Sequence, residues 1–253
     1  MDINQAFFIT PLFFLAALLF SSVGHGGASA YLAVMALLGL APESMRPAAL
    51  LLNVLVASIG FYKFYRAKAF DWQLFWPLAI MSVPLAFIGG QMHLPPQYYK
   101  SLVGAVLVFA AMQIFLKAQA NTLQANLHAP PRPVLFCLGA GLGLLSGLTG
   151  IGGGIFLSPV LLLLNWAEAR IISGVAAAFI LANSVSGLAG VLAKQSVLSV
   201  HLGYWAVAVV LGGLIGAEYG SKRLTSPSIR KLLALVVFFA GGKMLWEGWM
   251  LLA

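Results

Sequence analysis

The sequence predicts an all-α polytopic membrane protein. Its expected plan is eight hydrophobic segments in two inverted repeats of four, the first segment of each repeat broken or re-entrant at a Gly-rich stretch. Three observations lead there. The chain is 61% hydrophobic and only 8% charged, with a mean hydropathy of +0.98, whereas a soluble domain carries roughly 25% charge. A glycine cluster occurs twice inside long apolar runs, as Gly24-His25-Gly26-Gly27-Ala28-Ser29 and as Gly150-Ile151-Gly152-Gly153-Gly154. The basic residues are distributed unevenly among the short loops.

Taken in order, residues 7 to 22 are apolar, the first glycine cluster follows, and an apolar piece runs to about Leu40. Glycine in a helix interior costs about 1 kcal/mol relative to alanine, so the clusters should break their helices. Broken backbone is tolerated in a bilayer only when buried in protein or lining a wet cavity. Pro42 and Pro47 punctuate an expected polar turn holding Glu43 and Arg46. A run from Ala48 to Tyr62 ends at Lys63, Arg66 and Lys68, and Trp72 and Trp76 read as interface anchors for the run to about Met92. Pro95-Pro96 makes a turn before the run from Leu102 to Leu116.

The second half repeats the pattern. Val134 to Ser146 leads into the second cluster, and further runs cover Ile172 to Leu192, Leu202 to Gly220 and Leu232 to Leu252. The expected division is 1–118 and 133–253 as the two transmembrane repeats, with 119–132 as linker. Gly24, Gly26 and Gly27 fall on Gly150, Gly152 and Gly153, and Pro96 and Lys100 fall on Pro227 and Lys231. Paired glycine-interrupted segments in corresponding places point to a transporter site.

Residues 7 to 40 would make a helix of about 50 Å against a hydrocarbon core of roughly 30 Å. That is too long for one span and too short for two, so a bent hairpin fits. If both broken segments span, Lys and Arg divide evenly between the two sides. If both are hairpins, only Arg46, Lys100, Lys194 and Lys243 lie on one side and the other basic residues lie opposite. That bias satisfies the positive-inside rule. It also inverts the halves relative to each other and puts the N-terminus outside. A plain eight-span bundle is the alternative.

At these residues the chain resembles the sulfite exporter TauE/SafE family. The resemblance rests on the glycine breaks, on Gly-Ile-Gly-Gly-Gly-Ile-Phe-Leu-Ser-Pro at 150 to 159, and on the two-half layout. The first half departs from it, with His25 inside the glycines and no proline to match Pro159. The resemblance implies a multi-pass transporter of the inner membrane for sulfite, sulfonates or related small sulfur-containing anions.

Elementary chemistry points to an anion as well. A break followed by a half-helix aims free N–H groups into the membrane, and a helix N-terminus carries about half a positive charge. Two such ends would compensate a buried anion without burying a lysine. The expected substrate-binding set is Gly24, His25, Gly26, Gly27, Ser29, Asn53, Gly150, Gly152, Gly153, Gly154, Asn183 and Ser184. Asn53, Asn183 and Ser184, with Ser58 and Ser186, would donate to sulfonate oxygens or tie helices together. Ser29 and Thr149 read as helix caps. Gly139, Gly141 and Gly143 read as packing glycines.

His25 is the one ionisable group inside either break. With an unperturbed pKa of about 6.5 it is the candidate for proton coupling. His93, His128 and His201 read as loop or interface residues. Glu218 and Lys222, and Lys243 and Glu247, stand at i,i+4 and read as self-neutralising pairs.

The small anion and the lipid bilayer are the expected partners. A coupling proton or sodium ion and a homodimer are left open; no nucleic acid, cofactor or metal is expected. The lone Cys137 excludes a disulfide framework. An intramembrane hydrolase is disfavoured because Gly143-Leu144-Leu145-Ser146-Gly147 is a poor nucleophile motif and leaves the duplicated glycines unexplained. A cation transporter would need intramembrane carboxylates. A passive anion channel is the closer competitor.

Overall fold

A computed structural model describes residues 3–117, 127–194, 202–222 and 227–251. These form ten helices and, among the described residues, no strand. The first half gives α1 (Ile3–Ser21), α2 (Ala28–Leu37), α3 (Pro42–Arg66), α4 (Trp72–Gln91) and α5 (Pro96–Lys117). The second gives α6 (Arg132–Thr149), α7 (Gly154–Leu163), α8 (Ala169–Leu192), α9 (Leu202–Lys222) and α10 (Pro227–Met250). Five helices, α3, α4, α6, α8 and α9, are long and apolar enough to cross a membrane. The expected all-α multi-pass class is therefore found.

Both glycine clusters interrupt helix. A longer helix runs into each, α1 or α6, and a ten-residue half-helix, α2 or α7, leaves it. Gly27 and Gly153 are the N-caps of the half-helices, at φ 97° and 76°. A side chain at that left-handed backbone is strained, so the chain turns where glycine permits it.

The halves interleave. α5 packs along α10, α4 along α6, α1 along α9, and α3 along α8, while α4 also meets α8 and α3 meets α9. Exchanging the halves converts α4–α6 into α9–α1 and α4–α8 into α9–α3, so the pairing carries a two-fold pattern. Glycine ladders set two of these crossings. On α6, a Cβ at Gly139, Gly143 or Gly147 would collide with the carbonyl oxygens of Leu78, Ser82 and Ala86 on α4. On α9, Gly212, Gly216 and Gly220 stand in the same way on the carbonyls of Phe14 and Leu18 of α1 and of Ser22 just past its end. Such four-residue spacing of small residues lets two backbones touch. Gly141 is not part of a ladder: it is exposed and has nothing within 4 Å of its Cβ position.

Ion pairs join the halves near helix ends. Lys63 on α3 pairs with Glu218 on α9. Lys100 on α5 pairs with Glu247 on α10 at 2.7 Å, and Lys243 approaches the same carboxylate at 3.6 Å. The i,i+4 reading is thus half of the second arrangement; the shorter contact crosses between helices. Lys243 also donates to the carbonyls of Ala36 and Leu37, at 2.8 and 3.0 Å, closing the C-terminal end of α2. The side chain of Lys222, His201 and most of the 119–132 linker lie outside the described residues. His93 and His128 sit between helices and are exposed, as expected.

Arg46 corrects the sequence reading. The expected turn from Pro42 to Pro47 is helical, because proline at the first position of a helix sacrifices only an amide that would lack a partner anyway. Arg46 is 9% exposed rather than a loop cation. Its Nε donates to Gly147 O at 2.8 Å, one terminal nitrogen donates to Met92 O at 2.9 Å, and the other donates to Gly89 O.

Candidate functional site

The two breaks meet at the middle of α3 and α8. Asn53 and Ile180 are each the twelfth residue of their helix, and both are buried. A methyl of Ile180 lies 3.1 Å from the Cβ position of Gly26 and 2.9 Å from that of Gly152. Asn53 faces the same two glycines, and a Cβ on Gly26 would collide with its Oδ1. Glycine at 26 and 152 is thus demanded by close approach of the Asn53 and Ile180 side chains.

The carboxamide of Asn53 bridges the breaks. Its Oδ1 accepts the Ala28 N–H, the first amide of α2, at 3.1 Å. Its Nδ2 donates to Ile151 O in the second break at 3.1 Å and to Ser184 Oγ at 3.4 Å. Asn53, chosen from sequence as a pocket residue, is therefore brought to both glycine clusters, and Ser184 to the second, beside Gly152. At the matching place in the second half, apolar Ile180 lies against Gly154, the first residue of α7. Among the described residues the Gly154 and Ile155 amides have no hydrogen-bond acceptor. The two half-helix ends thus differ: one is capped by an amide oxygen, the other faces hydrocarbon.

The outer parts of each break are held from the opposite half. Gly24 packs on the backbone of Ser173 in α8, and Gly150 on Arg46 in α3, with Arg46 Cγ 3.2 Å from its Cβ position. Tyr31 OH donates to Gly26 O at 2.8 Å, and its ring stacks on Phe13, which stacks on Trp205. Tyr99 OH donates to Thr149 O at 3.2 Å. Thr149 Oγ1 donates to Leu145 O at 2.7 Å and accepts the Ile151 N–H at 3.3 Å, so it does act at the helix end. Ser29 does not. It is the second residue of α2, the N-cap is Gly27, and the capping oxygen comes from Asn53, 25 residues away in sequence.

His25 is half-buried and belongs to both halves. Its Nδ1 lies 3.0 Å from Val23 O, and its Nε2 lies 3.3 Å from Ser158 Oγ on α7. Gly27, Gly153 and Gly154 complete the buried turn on each side. Asn183 is less central. Its Nδ2 donates to Phe179 O at 2.9 Å, one turn back, while the Phe179 ring packs on Gly153. Asn183 Oδ1 and Ser146 Oγ are buried with no partner among the described residues. Ser58 and Ser186 bond to Val54 O and Val83 O, away from the breaks.

Arg46, Tyr31, Tyr99 and Ile180 were not singled out by sequence reasoning. Arg46 carried one usable signal, an arginine in the first turns of a proline-started apolar helix. The others look like ordinary apolar or aromatic positions.

Comparison with known proteins agrees with this architecture. The profile described as Sulfite exporter TauE/SafE matches residues 9–244. A protein of Sinorhizobium fredii named "Probable membrane transporter protein y4hK" is 37% identical over 245 residues, covering 96% of this chain and 99% of that protein. One of Bacillus subtilis named "Probable membrane transporter protein YjnA" is 27% identical over 241 residues, covering 88% of this chain and 92% of its own length. No solved structure matches. A helical bundle with two glycine-broken segments, matched over nearly its whole length, thus belongs to the sulfite exporter TauE/SafE family and is a multi-pass membrane transporter.

Proposed function

We propose that the protein is a secondary active exporter of small sulfur-containing oxyanions, such as sulfite, sulfonates or sulfocarboxylates. The observation that carries this reading is the meeting of both breaks at Asn53 near the midpoint of α3, where its carboxamide holds the first amide of α2 and the Ile151 carbonyl that precedes α7. Half-helix N-termini near the bilayer midplane are the usual way a transporter receives an anion. The positive ends of α2 and α7 supply charge without a buried lysine. The printed names of the relatives and family support transport of this class.

The two-fold pairing of the helices supports two repeats, residues 1–118 and 133–253; the uneven distribution of Lys and Arg supports their inversion, with the N-terminus outside an inner membrane. The breaks are closed by packing, with every glycine from 150 to 154 buried. That closure favours a carrier over an open anion channel, and the glycine pair needs no hydrolytic chemistry. His25 is the proposed proton-coupling group.

The test is flux. Proteoliposomes containing the full chain should move labelled sulfite or a short sulfonate in a saturable way, accelerated by a pH gradient. Cells expressing it should resist external sulfite. Flux rising linearly with concentration would favour the channel, and absence of flux with every such anion would overturn the substrate class.

A further inference from the structure

Asn53 does two things with one side chain. Its oxygen faces a backbone N–H and its nitrogen faces a backbone carbonyl. A donor requires the oxygen and an acceptor requires the nitrogen, so the partners themselves orient the amide. The fit leaves little slack, because a Cβ on Gly152 would stand 2.7 Å from Nδ2. Ile180, its counterpart on α8, has no polar atom with which to share the task.

We propose that Asn53 is an exchangeable latch: its Oδ1 holds the α2 amide that the substrate oxyanion takes, and giving up that amide makes Nδ2 release the second break. This rests on the anion reading above. An oxyanion oxygen and Oδ1 are both acceptors and cannot share the Ala28 N–H side by side. Turning the carboxamide would point its NH2 group at the anion, which is favourable. The same turn sets Oδ1 against Ile151 O, two acceptors with no proton between them. The Ser184 hydroxyl, 3.4 Å from Nδ2 before the turn, can donate to Oδ1 after it. The Asn53–Ile151 bond, which ties α3 to the second break, is thereby lost. Loading and the tie exclude each other, and by linkage each weakens the other equally. The empty protein keeps this bond between its halves, and the loaded one lacks it, which loosens the second break.

Hydrogen exchange on the wild-type protein in nanodiscs tests this, with sodium sulfite as the probe and sodium chloride as the ionic control. Sulfite should slow exchange in residues 26–31 and speed it in 149–152, where the Ile151 N–H reports on the second break. Losing one hydrogen bond corresponds to about a fivefold change in rate. In Asn53→Ala the second segment should already exchange faster without sulfite and respond no further. Protection of both segments in the wild type would mean a symmetric clamp and would overturn the latch while leaving the anion site intact. A persisting sulfite response of residues 149–152 in Asn53→Ala would also overturn the latch. No binding of sulfite by the wild-type protein would overturn the anion reading and the latch with it.

Discussion

The imidazole of His25, in the first break, reaches Ser158 on the half-helix of the second break, with Nε2 3.3 Å from Oγ. The ionisable ring of the first break is thus shared between the two halves. Ile151 stands at the matching place in the second break, so the arrangement is one-sided.

His25→Gln keeps a hydrogen-bonding side chain and removes titration. If His25 carries the coupled proton, the pH dependence of sulfite binding should flatten between about pH 5 and 8. Binding isotherms at several pH values check this. A profile identical to the wild type would remove His25 as the coupling group.

Arg46 supplies three hydrogen bonds to the carbonyls of Gly89, Met92 and Gly147. Arg46→Leu should destabilise the folded protein by about 3 kcal/mol or more, since buried bonds from a charged donor are each worth about 1.5–3 kcal/mol. Arg46→Lys should recover less than half, because an ammonium cannot reproduce the planar fork. Thermal unfolding in detergent reads both; equal stability of the leucine form would contradict the assigned contacts.

The glycines of α6 separate into two kinds. Gly143→Val should prevent accumulation of folded protein, because its side chain would enter the backbone of Ser82. Gly141→Val should stay within about 0.5 kcal/mol of the wild type, the usual range for an exposed substitution. Yield of monodisperse protein separates them, and equal loss in both would refute the ladder.

Much of this was legible beforehand, for identifiable reasons. Glycines as dense as those of residues 24–27 and 150–154 break the helix, so α1–α2 and α6–α7 could be read directly, whereas the spaced or paired glycines of α4, α6, α9 and α10 leave theirs intact. Asn53 was conspicuous as an amide in an apolar run, and it does meet both breaks. What escaped depends on partners distant in sequence. Arg46 looks like a turn cation beside Pro42, Glu43 and Pro47, and only its meeting with α4 and α6 reveals a buried guanidinium. Ser29 has the right residue type for a cap, but the capping oxygen comes from α3. Gly139, Gly141 and Gly143 look alike in sequence, and only the α4 backbone distinguishes the middle one. Glu218 meets Lys63, 155 residues away, a pairing no local spacing displays.

The glycine ladder on α9 bears on how the protein is made. The carbonyls of Phe14, Leu18 and Ser22 leave the ribosome long before Gly212, Gly216 and Gly220 that cover them. At roughly 5–20 residues per second, α1 waits about 10–40 seconds for its partner. The α4 face awaits α6 in the same way, over a shorter interval. Neither half can close its own seams, so an N-terminal fragment ending before α9 is an unfinished surface rather than half a transporter. Membrane proteases should clear such fragments. Two separately translated halves should assemble only when both are present in the same bilayer at once.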